Sequence, residues 1–260
     1  MTQPARRDRG VGSHRVWTEP NDRRVRVYVA DEVVADSTRT IYLFETGHLP
    51  VYYFPRSDIR FDLLEPAGHH THCPYEGDAS YYSVVVGHRR VENAVWAYPQ
   101  PLPSVPEIAD YAAFYWDLAD AWYEEDDEVF RHPRDPYHRV DVLHSSRHVQ
   151  VSIADVLVAD SHRPRLLFET GLPARYYLPR LDVRQDLLIP SATRTRCPYK
   201  GEASYWSVDT GGTQLDDVAW GYPAPIPEAS KIESLLAFYN ERVDILVDGV
   251  LQERPATTWS

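Results

Sequence analysis

Apolar residues recur mostly at every second position along this chain, in short runs that end at Gly, Pro or Asp-Gly. VRVYVADEVVAD (25–36) alternates around a polar pair and predicts a hairpin, and VQVSIADVLVAD (149–160) predicts the same again. IYLFE and LLFE are short buried strands ending at Thr-Gly; VYYFP and RYYLP are aromatic strands closed by proline. SYYSVVVG and SYWSVDTGG run in β-favouring residues up to glycine turns. VENAVWAYPQPLP and LDDVAWGYPAPIP end in polyproline-like loops. PEIADYAAFY and its partner EASKIESLLAFY have apolar spacing that allows a turn or two of helix, placed in the first case within 107–123. VDILVDGV reads as a last strand with an Asp-Gly turn.

These segments come in pairs because the chain is one unit written twice. Cys73 and Cys197, Trp96 and Trp220, and Phe114 and Phe238 all stand 124 positions apart. The register holds without a gap from His14/His138 to Tyr115/Tyr239, with about half the positions identical. Equal loop lengths imply one shared fold, though not one shared activity. The expected organisation is a first domain over 14–125, a linker over 126–137, a second domain over 138–252, and flexible termini at 1–13 and 253–260. Many short strands punctuated by 21 prolines give a mainly β fold, with at most one short helix per copy.

Composition narrows the partners. The net charge of −12 argues against duplex nucleic acid, whose phosphates call for clustered positive charge. No apolar run reaches the roughly 18 residues of a membrane span. The N-terminal segment has no apolar core of a secretory signal, so the expected place is the cytoplasm. The cysteines, Cys73 and Cys197, can form neither a disulfide framework nor a zinc site alone. The lysines are Lys200 and Lys231, which makes Lys200 conspicuous.

Lys200 belongs to TRCPYKGEASYW (195–206), whose twin THCPYEGDASYY (71–82) has Glu76 in its place. A thiol near a lysine can ionise more readily and act as a nucleophile, with Tyr199 and Lys200 stabilising charge. The same residues can equally be a turn entering a strand, with Cys197 and Cys73 as small hydrophobes. Glu169, like Glu45, ends a strand at FETG. It can serve as acid or base, or pair with Arg180 as Glu45 would with Arg56. In Arg56, Asp58, Arg60 and Asp62, and again from Arg180 to Asp186, period two puts the charges on one face of an extended segment: an anion clamp, or a self-neutralised surface. Tyr75, Trp96, Tyr177, Tyr199, Tyr205 and Trp220 are core residues, or line an aromatic pocket for a flat or cyclic ligand. His69, His70 and His72 resemble a metal cluster. Arg194 and Arg196 replace two of them in the second copy, so the stretch reads as a polar loop and no metal or other cofactor is expected.

FETG, YYFPR, DLL, CPYKG, the Tyr-Trp strand, AW-YP-P and AFY, in that order, make the chain resemble a family known as domain of unknown function 427, also called nucleotidyltransferase-like. Both copies match over nearly their whole length. The resemblance implies a compact domain of the β-tent or Mss4-like kind, in tandem. Nucleotidyl transfer usually needs a Gly-Ser turn followed by closely spaced metal-binding carboxylates, which do not occur here. The paired Cys-x-x-Cys zinc ligands of the wider fold group are missing too, so this is a zinc-free version. The family motif CPYKG is intact at Cys197–Gly201 and altered by Glu76 in the first copy.

Two functions follow. One is a small-molecule binding module, with an aromatic cleft in each copy, rimmed in the second by Glu169, Arg180 and Lys200, that holds an anionic or cyclic ligand. The alternative is an enzyme acting through Cys197, with Lys200 and Glu169 as its catalytic partners.

Overall fold

The computed structural model describes residues 14–257. Contacts divide the chain after Asp135 into two compact units. Unit 1 contains β1 (Val16–Pro20), β2 (Val25–Val29), β3 (Glu32–Ser37), β4 (Ile41–Glu45), β5 (Val51–Pro55), β6 (Leu64–Cys73), β7 (Gly77–Val86), β8 (Arg89–Ala97), β9 (Tyr111–Phe114), β10 (Ala121–Glu124) and β11 (Asp127–Val129). They form a seven-stranded sheet, β1-β4-β5-β9-β8-β7-β6, and a four-stranded one, β11-β10-β2-β3, with antiparallel pairing throughout.

Unit 2 contains β12 (Val140–His144), β13 (Val149–Ile153), β14 (Val156–Ser161), β15 (Arg165–Glu169), β16 (Arg175–Pro179), β17 (Leu188–Cys197), β18 (Gly201–Asp209), β19 (Gln214–Gly221), β20 (Leu235–Phe238), β21 (Asp244–Val247) and β22 (Val250–Leu251). Its sheets, β12-β15-β16-β20-β19-β18-β17 and β14-β13-β21-β22, repeat the order of unit 1. The fold is mainly β, and no α-helix occurs among the described residues.

Strand alternation sends side chains to two layers. In unit 1, Val25, Val27, Phe54, Val84, Val95, Phe114 and Trp122 fill the space between the two sheets. On the other face of the large sheet Leu43, Tyr53, Ala79, Tyr81 and Tyr98 pack beneath Val105 and Ile108 of the Pro-rich loop. Adjacent Tyr52 and Tyr53 therefore serve opposite layers. Unit 2 repeats both layers. Burying each such side chain stabilises the unit by about 1.5–3 kcal/mol.

Several expectations need correction. PEIADYAAFY is one short 3-10 turn (Pro106–Asp110) followed by strand β9, and EASKIESLLAFY is likewise a 3-10 turn (Pro227–Ile232) and then β20. The Pro106 and Pro227 turns are too short to leave a helical face. The stretch containing His69, His70 and His72 is strand β6, not a loop. It lies at the end of the large sheet and, like β17, is exposed along most of its length. Residues 127–129, assigned to the linker, pair with β10 as β11. At the C-terminal end Arg254 donates to Asp244 at 2.7 Å and Thr257 to Glu241 at 2.6 Å, so 253–257 are tied to unit 2. The remaining tail expectations, 1–13 and 258–260, lie outside the described residues.

Candidate functional site

The FETG and CPYKG segments meet at one end of the large sheet of unit 2. Glu169, the last residue of β15, receives the Lys200 ammonium at 2.5 Å and lies 2.9 Å from His138 Nε2. Thr170 holds the start of β12, its amide donating to Arg139 O and its hydroxyl accepting from the Arg139 amide. That is how His138 comes to face Glu169. The His138 ring stacks on Tyr199 at 4.1 Å. Burial opposes ionisation of Glu169. The His138 hydrogen bond and the Lys200 charge outweigh it and hold the carboxyl below its usual range.

Lys200 is positioned by the turn between β17 and β18. Its amide donates to Cys197 O, and its own carbonyl accepts from Ile226 of the Pro-rich loop. Gly201 follows at φ +103°, and a Cβ there would stand 3.2 Å from Ala224 O. Only glycine suits both the left-handed backbone and that close approach. Cys197 is half-buried against this layer, and Tyr177, Tyr205 and Trp220 lie within it. Trp220 Nε1 donates to Tyr177 Oη at 3.1 Å, and Tyr205 Oη meets Thr195 Oγ1 at 2.7 Å. Burial pushes the Tyr222 phenol well up, and Tyr177, Cys197, Tyr205 and Glu169 nearby add to the rise.

Unit 1 has the same frame with different charge. His14 bonds to Glu45 at 2.7 Å and stacks on Tyr75 at 3.7 Å. Buried Glu76 replaces the lysine beside Cys73 and Tyr98. Burial pushes the Cys73 thiol up, and the Glu76 carboxylate reinforces the shift.

The two arginines do not join these clusters. Arg180 lies over the Trp206 ring at 4.5 Å, and Arg56 over Phe61 at 4.5 Å and Tyr82 at 5.7 Å. Trp206 and Phe61 pack against the inter-sheet layer, on the opposite side of the large sheet from Tyr205 and Tyr81. The expected pairing of Glu45 with Arg56 and Glu169 with Arg180 is replaced by the histidine and lysine contacts. The extended charged face is also absent: 56–58 and 61–63 are separate 3-10 turns. Their charges pair locally, Asp58 with Arg39 and Ser37, Asp62 with Arg60.

An open cleft lies elsewhere in unit 1. Its volume is about 510 Å³, and Trp96, Tyr115, Trp116, Trp122, Val51 and Asp117 are among its walls. Trp116 and Trp122 stack at 4.3 Å, and Trp96 and Tyr115 meet at 4.6 Å. Tyr52 forms part of the wall, its hydroxyl donating to Glu124, which also pairs with Arg23. The Tyr115 hydroxyl is pushed up to about 12 by partial burial and by the Tyr81 hydroxyl, so it remains a donor at ordinary pH. Of the sequence candidates, Trp96 and His69 line this cleft; Cys73, Glu45 and Tyr75 do not. Tyr115, Trp116, Asp117 and Trp122 were missed. Their signal lay where the gapless match fades, just past Tyr115.

The three histidines of β6 do not converge. His69 lies against Tyr81, His70 Nδ1 meets Ala79 O, and His72 meets Asp78. Among the described residues His148, Asp160 and His162 bring ligand atoms within 4.8 Å of one another. Their combination is one the sequence reading did not single out.

The model of the family described as domain of unknown function (DUF427) matches residues 17–125 and again 141–249. The chain belongs to this family. Each match spans nearly one whole structural unit, so the chain is a tandem pair of DUF427 domains. A search of curated proteins finds no match.

Proposed function

We propose that this DUF427 tandem protein binds a small molecule with a cyclic, largely apolar body, in the aromatic cleft of unit 1. The observation that carries this reading is the open space of about 510 Å³ between Trp96, Tyr115, Trp116 and Trp122. Concave, mostly apolar walls with a few polar groups are what small-molecule sites have in common. The tryptophan pair is fixed in advance by stacking and by the Trp122 Nε1 bond to Trp116 O at 3.2 Å, so little ordering is needed on binding. The acidic group on this cleft, Asp117, favours the cyclic over the anionic alternative.

The Cys197 chemistry draws less support. Lys200 faces Glu169 in a buried pair, which ties up the charge that would activate a thiol. Among the described residues no helix is long and apolar enough to cross a membrane.

A thermal-shift and Trp-fluorescence screen of cyclic compounds tests the reading. Hits should persist in Cys197→Ser and weaken at least about tenfold in Tyr115→Ala, which removes an exposed wall of the cleft. Hits that respond to Cys197→Ser and ignore Tyr115→Ala would move the site to the CPYKG turn.

A further inference from the structure

The second unit contains an occupant for the place that is open in the first. The offset of 124 extends past Tyr115/Tyr239: the Leu118 amide donates to Tyr115 O as the Arg242 amide does to Tyr239 O. Val51, Trp96, Tyr115 and Asp117 therefore correspond to Arg175, Trp220, Tyr239 and Glu241. The Arg175 guanidinium lies 5.5 Å from the Trp220 ring centre and 5.9 Å from that of Tyr239. It donates through both terminal nitrogens to Glu241 at 2.7 Å each. Arg175 and Glu241 are both buried, and Trp220 is only 7% exposed. In unit 1 the arginine is missing, both aromatics and the acid remain, and Tyr115 is 42% exposed.

We propose that the ligand of the unit 1 cleft carries a cation, a guanidinium or an ammonium, seated on Trp96 and Tyr115 and paired with Asp117. The inference rests on the cleft reading above and names its ligand class. Arg175 shows that this pair of rings with this acid accommodates a planar cation within the same fold. Aromatic faces attract cations electrostatically, more strongly when water is excluded, and a carboxylate supplies the counter-charge. Val51 in place of Arg175 leaves no arginine between Trp96 and Tyr115. Trp116 and Trp122 give an apolar surface for the rest of the ligand.

The test compares phenylguanidinium with phenylurea, a neutral compound of nearly the same shape, and with benzoate. Each is titrated into the full chain by calorimetry and Trp fluorescence. Phenylguanidinium should bind once per chain, about tenfold or more tighter than phenylurea, with benzoate weakest. Asp117→Asn should bring the two shape-matched compounds within about threefold of each other. Val51→Arg should abolish binding of both. Asp117 is exposed, so its variant carries the test alone if Val51→Arg does not fold. Equal binding of phenylguanidinium and phenylurea, lost in Val51→Arg, would leave the cleft reading standing and overturn the cation. Phenylguanidinium binding that survives both variants would also overturn it. If none of the probes binds and the cyclic-compound screen is empty, the cleft reading fails and takes this inference with it.

Discussion

Position 200 and its counterpart 76 place opposite charges in the same buried turn, and the consequences can be separated. Lys200 and Glu169 are both buried, so removing the lysine leaves the carboxylate with His138 alone. Lys200→Met should destabilise unit 2 by about 3–5 kcal/mol in urea unfolding, the usual cost of breaking a buried pair from one side. Glu169 titrates below its unfolded value when folded. Its contribution is therefore present above the unfolded pKa, about 4.3, and is lost as pH falls through the lower folded one. The penalty of Lys200→Met should be full near neutrality and shrink below about pH 4; a penalty independent of pH would show that the charge is not its cause. The charge exchange itself was legible by aligning the two halves. The histidine was not: His138 reaches Glu169 only because β12 pairs with β15, across 31 residues of sequence. Arg180 was misplaced because sequence spacing gives the end of a strand and not the face from which a side chain leaves the following turn.

At the scale of the element, the β17–β18 turn is a latch. Its glycine passes close to the Pro-rich loop, and that loop pairs with it through the Gly201–Pro225 bridge. Gly201→Ala would meet both a left-handed backbone and a fixed carbonyl, and should cost about 2 kcal/mol. Hydrogen exchange should then show faster opening of 222–226 while β18 stays protected. Equal protection of that loop in both proteins would mean that the turn does not hold it. Strands β2–β5, β7 and β8 and their counterparts in unit 2 were legible because period two is a strong signal wherever one face is buried. The failures lie where that signal ends. Single 3-10 turns leave only two or three apolar positions, which a helix shares. Strand β6, mostly polar and exposed between Leu64 and Cys73, shows no clear alternation and so resembled a loop.

For the whole molecule, duplication fixed the architecture while substitutions at a few positions set the two units apart. The fold class and the tandem plan could be read from the sequence, since equal spacing over about a hundred residues leaves little freedom. The open cleft could not, because its walls come from every strand from β5 to β10, the turn after β9 and residues 132–133, and because the departure of Val51 from Arg175 looks like any other mismatch. Each large sheet also ends in a ten-residue strand, β6 or β17, with no strand paired to its outer side among the described residues. Such a margin is a template on which another chain can lay a strand, and charged side chains are the usual deterrent. Arg194 and Arg196 stand there in unit 2, exposed. Replacing both by valine should leave the free energy of urea unfolding within about 0.5 kcal/mol of the parent, while sedimentation shows concentration-dependent self-association. The matching rim of unit 1 has histidines instead, and one of them, His69, also lines the open cleft; in unit 2 the arginines would serve less for what the protein holds than for what it declines to join.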